Sequence, residues 1–138
     1  MKRFHEQIMG IYFDDLDPYH ILHNARYFLL FERTMGSFWE ELQLGQLNLD
    51  ADLFHLVRAN HIEYHRAVRG TGKVRVRVWV EKLGKTSLTF GFRMMPIGAD
   101  VDYATGSRTV VRVNSETYQP SPWSPKFREL LAPYMENQ

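Results

Sequence analysis

The clearest periodicity in the chain runs from about Asn24 to Leu44, where Phe28, Phe31, Met35, Phe38 and Leu42 recur at steps of three and four. That spacing gathers side chains on one face of an α-helix. Tyr27, Leu29, Leu30 and Trp39 widen the stripe until little polar face is left. The pattern predicts a long helix buried on most sides, as when a sheet wraps around it. Asn24 is suited to cap it, because a short amide side chain accepts from the free amides of a first turn. Gly45 is placed to end it.

The second half alternates instead. In "KVRVRVWVEKLG", Val74, Val76, Val78 and Val80 interleave with Arg75, Arg77, Trp79 and Glu81, the period of a strand with one buried face. Thr86 to Met95 follows a short Gly84-Lys85 turn and predicts a hairpin with that strand. Further strands are predicted over Phe54 to Val68 and Gly106 to Tyr118, and a first one from Lys2 to Tyr12. Ser124 as a cap with Pro125 at the first helical position predicts a short closing helix over about 124–135. Strand, long helix, then an antiparallel meander is an α+β fold in which one sheet curls over one helix. Its exposed edge strands predict a dimer.

Composition narrows the picture. At 138 residues the chain predicts a single domain over 1–138. Seventeen Lys and Arg against sixteen Asp and Glu give no global field for nucleic acid or an anionic membrane. The absence of cysteine excludes disulfides, thiolate metal sites and cysteine nucleophiles. No early apolar run is long enough for a signal peptide and none nears the ~20 residues of a membrane span, so the expected location is the cytoplasm. Among the histidines, His61 and His65 share strand parity, but Glu63 is read as facing the other way, and no metal set is predicted. No cofactor is expected.

Candidate chemistry concentrates between the first strand and the long helix, where Asp14, Asp15 and Asp17 face a helix N-terminus. That end carries free amides and a partial positive charge. A carboxylate beside such amides can attack a carbonyl that they polarise, or draw a proton from water that does. Turn and cap chemistry accounts for the same residue types, and the residues alone leave both readings open.

The stretch "DLDPYHILHNARYFLLFER", Asp15 to Arg33, resembles the signature of hotdog-fold acyl-CoA thioesterases of the 4-hydroxybenzoyl-CoA thioesterase type. There an Asp-x-Asp precedes a glycine, a short His/Val/Asn-rich run and a Tyr-x-x-x-x-Glu on the helix. Asp15, Asp17, Asn24, Tyr27, Phe31, Glu32 and Arg33 match without gaps, and "IEYHRAVRGTGKVRVRVWVEKLGKTSLTFGF" resembles the strands that follow. The resemblance implies a hotdog fold and hydrolysis of an acyl- or aroyl-thioester of coenzyme A or acyl carrier protein. It also implies a homodimer or a dimer of dimers.

Carried over by residue, it makes Asp17 the nucleophile or general base and the backbone amides of Asn24 and His23 the oxyanion donors. Tyr27 and Phe28, with His20, are the implied acyl-pocket lining, the facing wall coming from a partner subunit. His20 stands where the family usually has glycine, so its side chain is expected to narrow the acyl site. Arg75, Arg77, Lys82 and Lys85 are candidates to grip the coenzyme A phosphates. Trp79, outward in the same pattern, marks a subunit contact, and Glu32 is expected to bond within the fold or to the partner. "DLDPYH" also resembles the Asp-x-Asn-Pro-x-His of hotdog enoyl-thioester hydratases, which would make Asp15 and His20 catalytic. A non-catalytic dimer that binds acyl-thioesters is the third expectation.

Overall fold

The computed structural model describes residues 3–135. Lys2, the predicted start of the first strand, and the extreme ends of the predicted domain lie outside the described residues. In chain order the elements are β1 (His5–Ile11), α1 (Tyr27–Glu41), β2 (His55–Tyr64), β3 (Gly72–Leu83), β4 (Ser87–Pro96), β5 (Ala104–Arg112) and α2 (Pro125–Leu131). All five strands form one antiparallel sheet in the order β1-β3-β4-β5-β2. This is the expected α+β hotdog arrangement, with α1 held against the sheet. Among the described residues no helix is long and apolar enough to cross a membrane.

The connectivity differs from a simple meander. Strand β1 occupies the free edge of β3, so β2 pairs with β5 at the far edge instead of with its successor in the chain. The alternation in β3 does what its period requires. Val74, Val76, Val78 and Val80 are all at most 1% exposed and pack into two clusters with Leu30, Phe31 and Phe38 of α1. Burying such side chains is worth about 1.5–3 kcal/mol each, so the helix–sheet interface is a large source of the fold's stabilisation.

Helix α1 is shorter than its apolar stripe. Tyr27, Leu30, Phe31, Thr34, Met35 and Phe38 form its buried face, while Phe28, Leu29 and Trp39 are only half-buried, so in one chain the sheet covers one side of it. Residues Asn24–Arg26 form a turn of 3-10 helix ahead of it. The cap is His23 in place of Asn24, because residue 23 still has extended backbone and its Nδ1 accepts the Ala25 N–H at 3.0 Å. At the other end Gln43, not Gly45, takes the left-handed conformation, with φ 58°. Turning there brings Leu44 and Leu49 into the core at 1% and 8% exposure.

Two strands also stop earlier than their β-branched runs. The His65 and Arg66 amides both donate to the Tyr103 carbonyl, at 2.8 and 3.1 Å, which ends the ladder of β2. After β5, Asn114 Oδ1 accepts from the amides of Glu116 and Thr117 at 2.8 and 3.1 Å, so 114–118 is a loop instead of a strand. Ser124 caps α2 as expected, accepting the Phe127 amide at 3.2 Å. One further turn of 3-10 helix, Ala132–Tyr134, completes the closing segment.

Candidate functional site

The loop between β1 and α1 is fixed by its own carboxylates. Asp15 is 5% exposed, and its Oδ2 accepts the Tyr12 amide at 2.8 Å, closing a 3-10 turn over Phe13–Asp15. Asp17 makes the next turn. Its amide donates to the Ile21 carbonyl and its carbonyl accepts from the His20 amide, both at 2.9 Å. Its Oδ1 accepts from the Tyr19 and Ile21 amides at 2.8 and 3.4 Å. The turn is then tied to the segment after β2: Leu22 N–H donates to Val68 O at 2.8 Å and Gly70 N–H to His20 O at 2.9 Å.

These ties open a cavity of about 570 Å³ lined by Asp17, Leu22, His23, Asn24 and Tyr27 on one side and Tyr64, His65, Arg66 and Ala67 on the other. The hydrogen bonds within the turn use only Oδ1 of Asp17. The two amides expected to act as oxyanion donors differ. His23 N–H is spent on the Asp15 carbonyl at 2.9 Å, whereas the Asn24 N–H meets no acceptor among the described residues. Tyr27 is 3% exposed and meets the edge of Tyr64 at 4.9 Å between ring centres. Burial, then the nearby Tyr64, Asp17 and Tyr103, push its hydroxyl up to about 12, so at neutral pH it is an uncharged donor. A carboxylate, a free amide and a neutral phenol facing one space suit attack on a polarised carbonyl.

A family model described as the Thioesterase-like superfamily matches residues 11–131. The chain belongs to this superfamily. No curated protein matches it. Among solved structures it is similar to a predicted thioesterase from Bacillus stearothermophilus, at 19% identity and TM-score 0.83 over 99% of each chain. It is similar to the DHNA-CoA thioesterase from Staphylococcus aureus at 16% identity and TM-score 0.78, covering 92% of this chain and 87% of that one. The YbaW probable thioesterase from Escherichia coli is similar at 18% identity and TM-score 0.77, over 95% and 98%. Those likenesses establish the hotdog fold; the family match makes the protein a thioester hydrolase.

Other predicted residues fall elsewhere in this thioesterase. His20 does not line the cavity; it is exposed, with φ 61°. The loop therefore keeps the left-handed geometry that glycine takes freely, and the exposed histidine is not among the residues that line the cavity. Replacing His20 by glycine relieves backbone strain but adds freedom to the unfolded chain, and these opposing effects are each about 1 kcal/mol. His20→Gly is thus expected to melt close to the parent and to keep its thioesterase activity. Loss of activity in an equally stable variant would contradict this placement. On the hydratase reading Asp15 and His20 would be catalytic; Asp15 is 5% exposed with its Oδ2 on the Tyr12 amide, and neither residue lines the cavity.

Phe28 also lies outside the Asp17 cavity. It packs against Phe31 and Phe92, with ring centres 6.1 and 5.5 Å away, under the Arg108 guanidinium at 5.1 Å. Arg108 donates to Glu32 at 2.6 Å and to Asn60 at 2.8 Å, so Glu32 bonds within the fold. A second pocket of about 280 Å³ runs beside it, lined by Phe31, Glu32, Met35, Trp39, His55 and Arg108 among others. Burial lowers the affinity of His55 for a proton below the ordinary value of 6.5, against the pull of the Asp52 carbonyl that its Nδ1 contacts at 3.0 Å. An unfolded chain protonates this residue more readily, so stability is full above that ordinary value and falls as pH drops below it. His55→Gln is expected to lose less stability between neutral and mildly acid pH, measured by denaturant unfolding; an unchanged acid slope would contradict the assignment.

The basic residues expected at coenzyme A are not gathered at the cavity. Arg75 donates to Pro96 O and Ala99 O at 3.0 and 2.7 Å. Arg77 pairs with Glu6 at 3.0 Å and lies 3.8 Å over the Phe4 ring. Lys82 is ten residues along β3 from Gly72, on the order of 30 Å at ~3.3 Å per residue, and Lys85 lies beyond it. Trp79 covers Gly91 on the outer sheet face, where a Cβ would come within 2.6 Å of the indole ring. His61 and Glu63 lie on the same face, 3.6 Å apart, as a period of two demands; the opposite-face reading of Glu63 is corrected. Sequence reasoning assigned no role to Tyr64–Ala67, the wall opposite Asp17. The available signal was the end of the alternating run before "HRAVRG".

Proposed function

We propose that the protein hydrolyses the thioester of an acyl- or aroyl-CoA at the Asp17 cavity, with Asp17 as nucleophile or general base and the Asn24 amide as oxyanion donor. One observation carries this reading: a carboxylate oxygen outside the turn's hydrogen bonds and an amide without an acceptor open on the same cavity. One preorganised donor of this kind is worth roughly 2.7–4 kcal/mol. Because backbone supplies it, replacing the Asn24 side chain costs little. Ile21, Leu22, Ala67 and the tyrosine rings give the acyl group an apolar wall. The reaction takes up one water and releases a free acid and a thiol, and we place it in the cytoplasm.

The cavity's far wall continues straight from β2, an edge strand whose outer side is unpaired among the described residues. Leu56, Val57 and Tyr64 on it are 44%, 51% and 51% exposed. A second copy adding its own β2 there extends the sheet and closes the cavity's open side, so the functional unit is a homodimer, alone or doubled into a tetramer. The thiol carrier is coenzyme A or an acyl carrier protein.

The test is thiol release from short, long and aromatic acyl-CoAs, and from the same acyl groups on acyl carrier protein. Release from one class names the substrate. Binding without release from any of them would overturn hydrolysis in favour of an acyl-thioester-binding dimer.

A further inference from the structure

Tyr27 is 3% exposed yet lines the Asp17 cavity. Its hydroxyl has no hydrogen-bond partner among the described residues, and none of their side-chain N or O atoms is both fully enclosed and unpartnered. The phenol oxygen therefore opens on the cavity. Buried hydroxyls are normally paired, because an orphaned one gives up its hydrogen bonds to water without a replacement. An opening onto the substrate space is the way this one avoids that cost.

Its place on the helix aims it. Tyr27 is the first residue of α1, three residues after Asn24. Helical side chains lean toward the N-terminus, so residue i+3 overlies residue i. The ring thus projects toward the end of the helix where the Asn24 N–H faces the cavity. Tyr64 packs against it in a T-shaped contact, 4.9 Å away between ring centres. Asp17 is close enough for its charge to help keep the phenol protonated.

A tetrahedral oxyanion is best held by two donors, and here the His23 amide is unavailable because the Asp15 carbonyl holds it at 2.9 Å. We propose that the Tyr27 hydroxyl is the second donor to the thioester carbonyl oxygen, in the place the His23 amide would have filled. This rests on the thioester hydrolysis proposed above. As the attacking oxygen bonds to the carbonyl carbon, the C=O π pair moves onto the carbonyl oxygen, held by Tyr27 O–H and Asn24 N–H. An attacking water gives its proton to Asp17, whereas attack by Asp17 itself forms an anhydride that a water then cleaves to the free acid and the carboxylate. When the pair returns, the C–S bond breaks and the thiolate leaves, taking a proton from solvent. Tyr27 gives up no proton. It binds the developing charge more tightly than the neutral carbonyl.

The experiment compares the full-length parent, Tyr27→Phe, a variant carrying 3-fluorotyrosine at position 27, and Asp17→Asn, by thiol release and thermal unfolding. Tyr27→Phe keeps the ring and loses no protein hydrogen bond, so its melting temperature is expected to match the parent. Its kcat is expected to fall about 10²- to 10³-fold with KM nearly unchanged, and 3-fluorotyrosine to restore most of the loss. A Tyr27→Phe kcat close to the parent's, or a rise in KM alone, would overturn the proposal while loss of activity in Asp17→Asn keeps the hydrolysis reading standing. If Asp17→Asn is as active as the parent, the hydrolysis reading itself fails and the proposal falls with it. Should Tyr27→Phe melt early, the fluorotyrosine variant decides, because fluorine makes the phenol ionise at lower pH: a kcat that falls at lower pH than the parent's at equal melting temperature supports the proposal, and a parent-like pH profile overturns it.

Discussion

Asp52→Ala is expected to melt roughly 10 °C below the parent, a loss of about 3 kcal/mol. Asp52 is 1% exposed and holds the closing segment by two hydrogen bonds, from the Ser124 amide at 2.9 Å and the Ser124 hydroxyl at 2.7 Å. That hydroxyl in turn accepts the Phe127 amide and caps α2. The helix so fixed places Phe127 and Leu131, both 0% exposed, in the core, where Phe127 stacks on Trp123 at 5.0 Å. Hydrogen bonds to an ionised acceptor are worth about 1.5–3 kcal/mol each, and a buried donor left unpaired adds to the cost. Water reaching the Ser124 hydroxyl offsets part of it. Arg112, 3.8 Å from the carboxylate, keeps the Ala51 and Pro122 carbonyls as partners, so its loss is the smaller part. Asp52→Asn retains one acceptor oxygen and is expected to melt between the two. Parent-like melting of Asp52→Ala by circular dichroism would show that the segment is held by its apolar contacts alone.

Nothing in the chain's periodicity pointed to Asp52. It sits in a short turn before β2, and its partner Ser124 is seventy-two residues away, a separation over which local pattern carries no information. The elements whose physics is local were legible: the valine alternation of β3, the stripe of α1 and the Ser124-Pro125 start of α2 all form where spacing put them. The boundaries that moved did so because a side chain or a remote carbonyl captured backbone amides. His23 capped in place of Asn24, Asn114 curled the end of β5, and Tyr103 O ended β2. The pairing of β2 with β5 was hidden for a related reason, because it depends on β1 having taken the edge of β3. At the site, the stretch from Asp15 to Asn24 was legible as a place for chemistry, and the structure does put Asp17, Asn24 and Tyr27 around one cavity. The opposite wall and the departure of Phe28 and His20 from it depend on which way a turn faces, which composition does not record.

The largest functional effect is expected from Asp17→Asn. The asparagine side-chain oxygen can still accept from the Tyr19 amide, and asparagine suits the first position of such a turn, so the loop and the cavity should stand. What is lost is the group that attacks the thioester or takes a proton from the water that does, because an amide does neither at neutral pH. Positioned acid–base groups contribute typically about 10²–10⁴-fold, and a lost nucleophile costs at least as much. The substrate's contacts with the tyrosine rings and with Ile21, Leu22 and Ala67 are untouched, so KM should change little. The measurement that tests this most directly is kcat for thiol release from the best acyl-CoA, for the parent and for Asp17→Asn preparations of equal melting temperature. A fall of several hundredfold or more at similar KM is what the Asp17 site predicts; equal rates would contradict it and place the chemistry elsewhere in the fold.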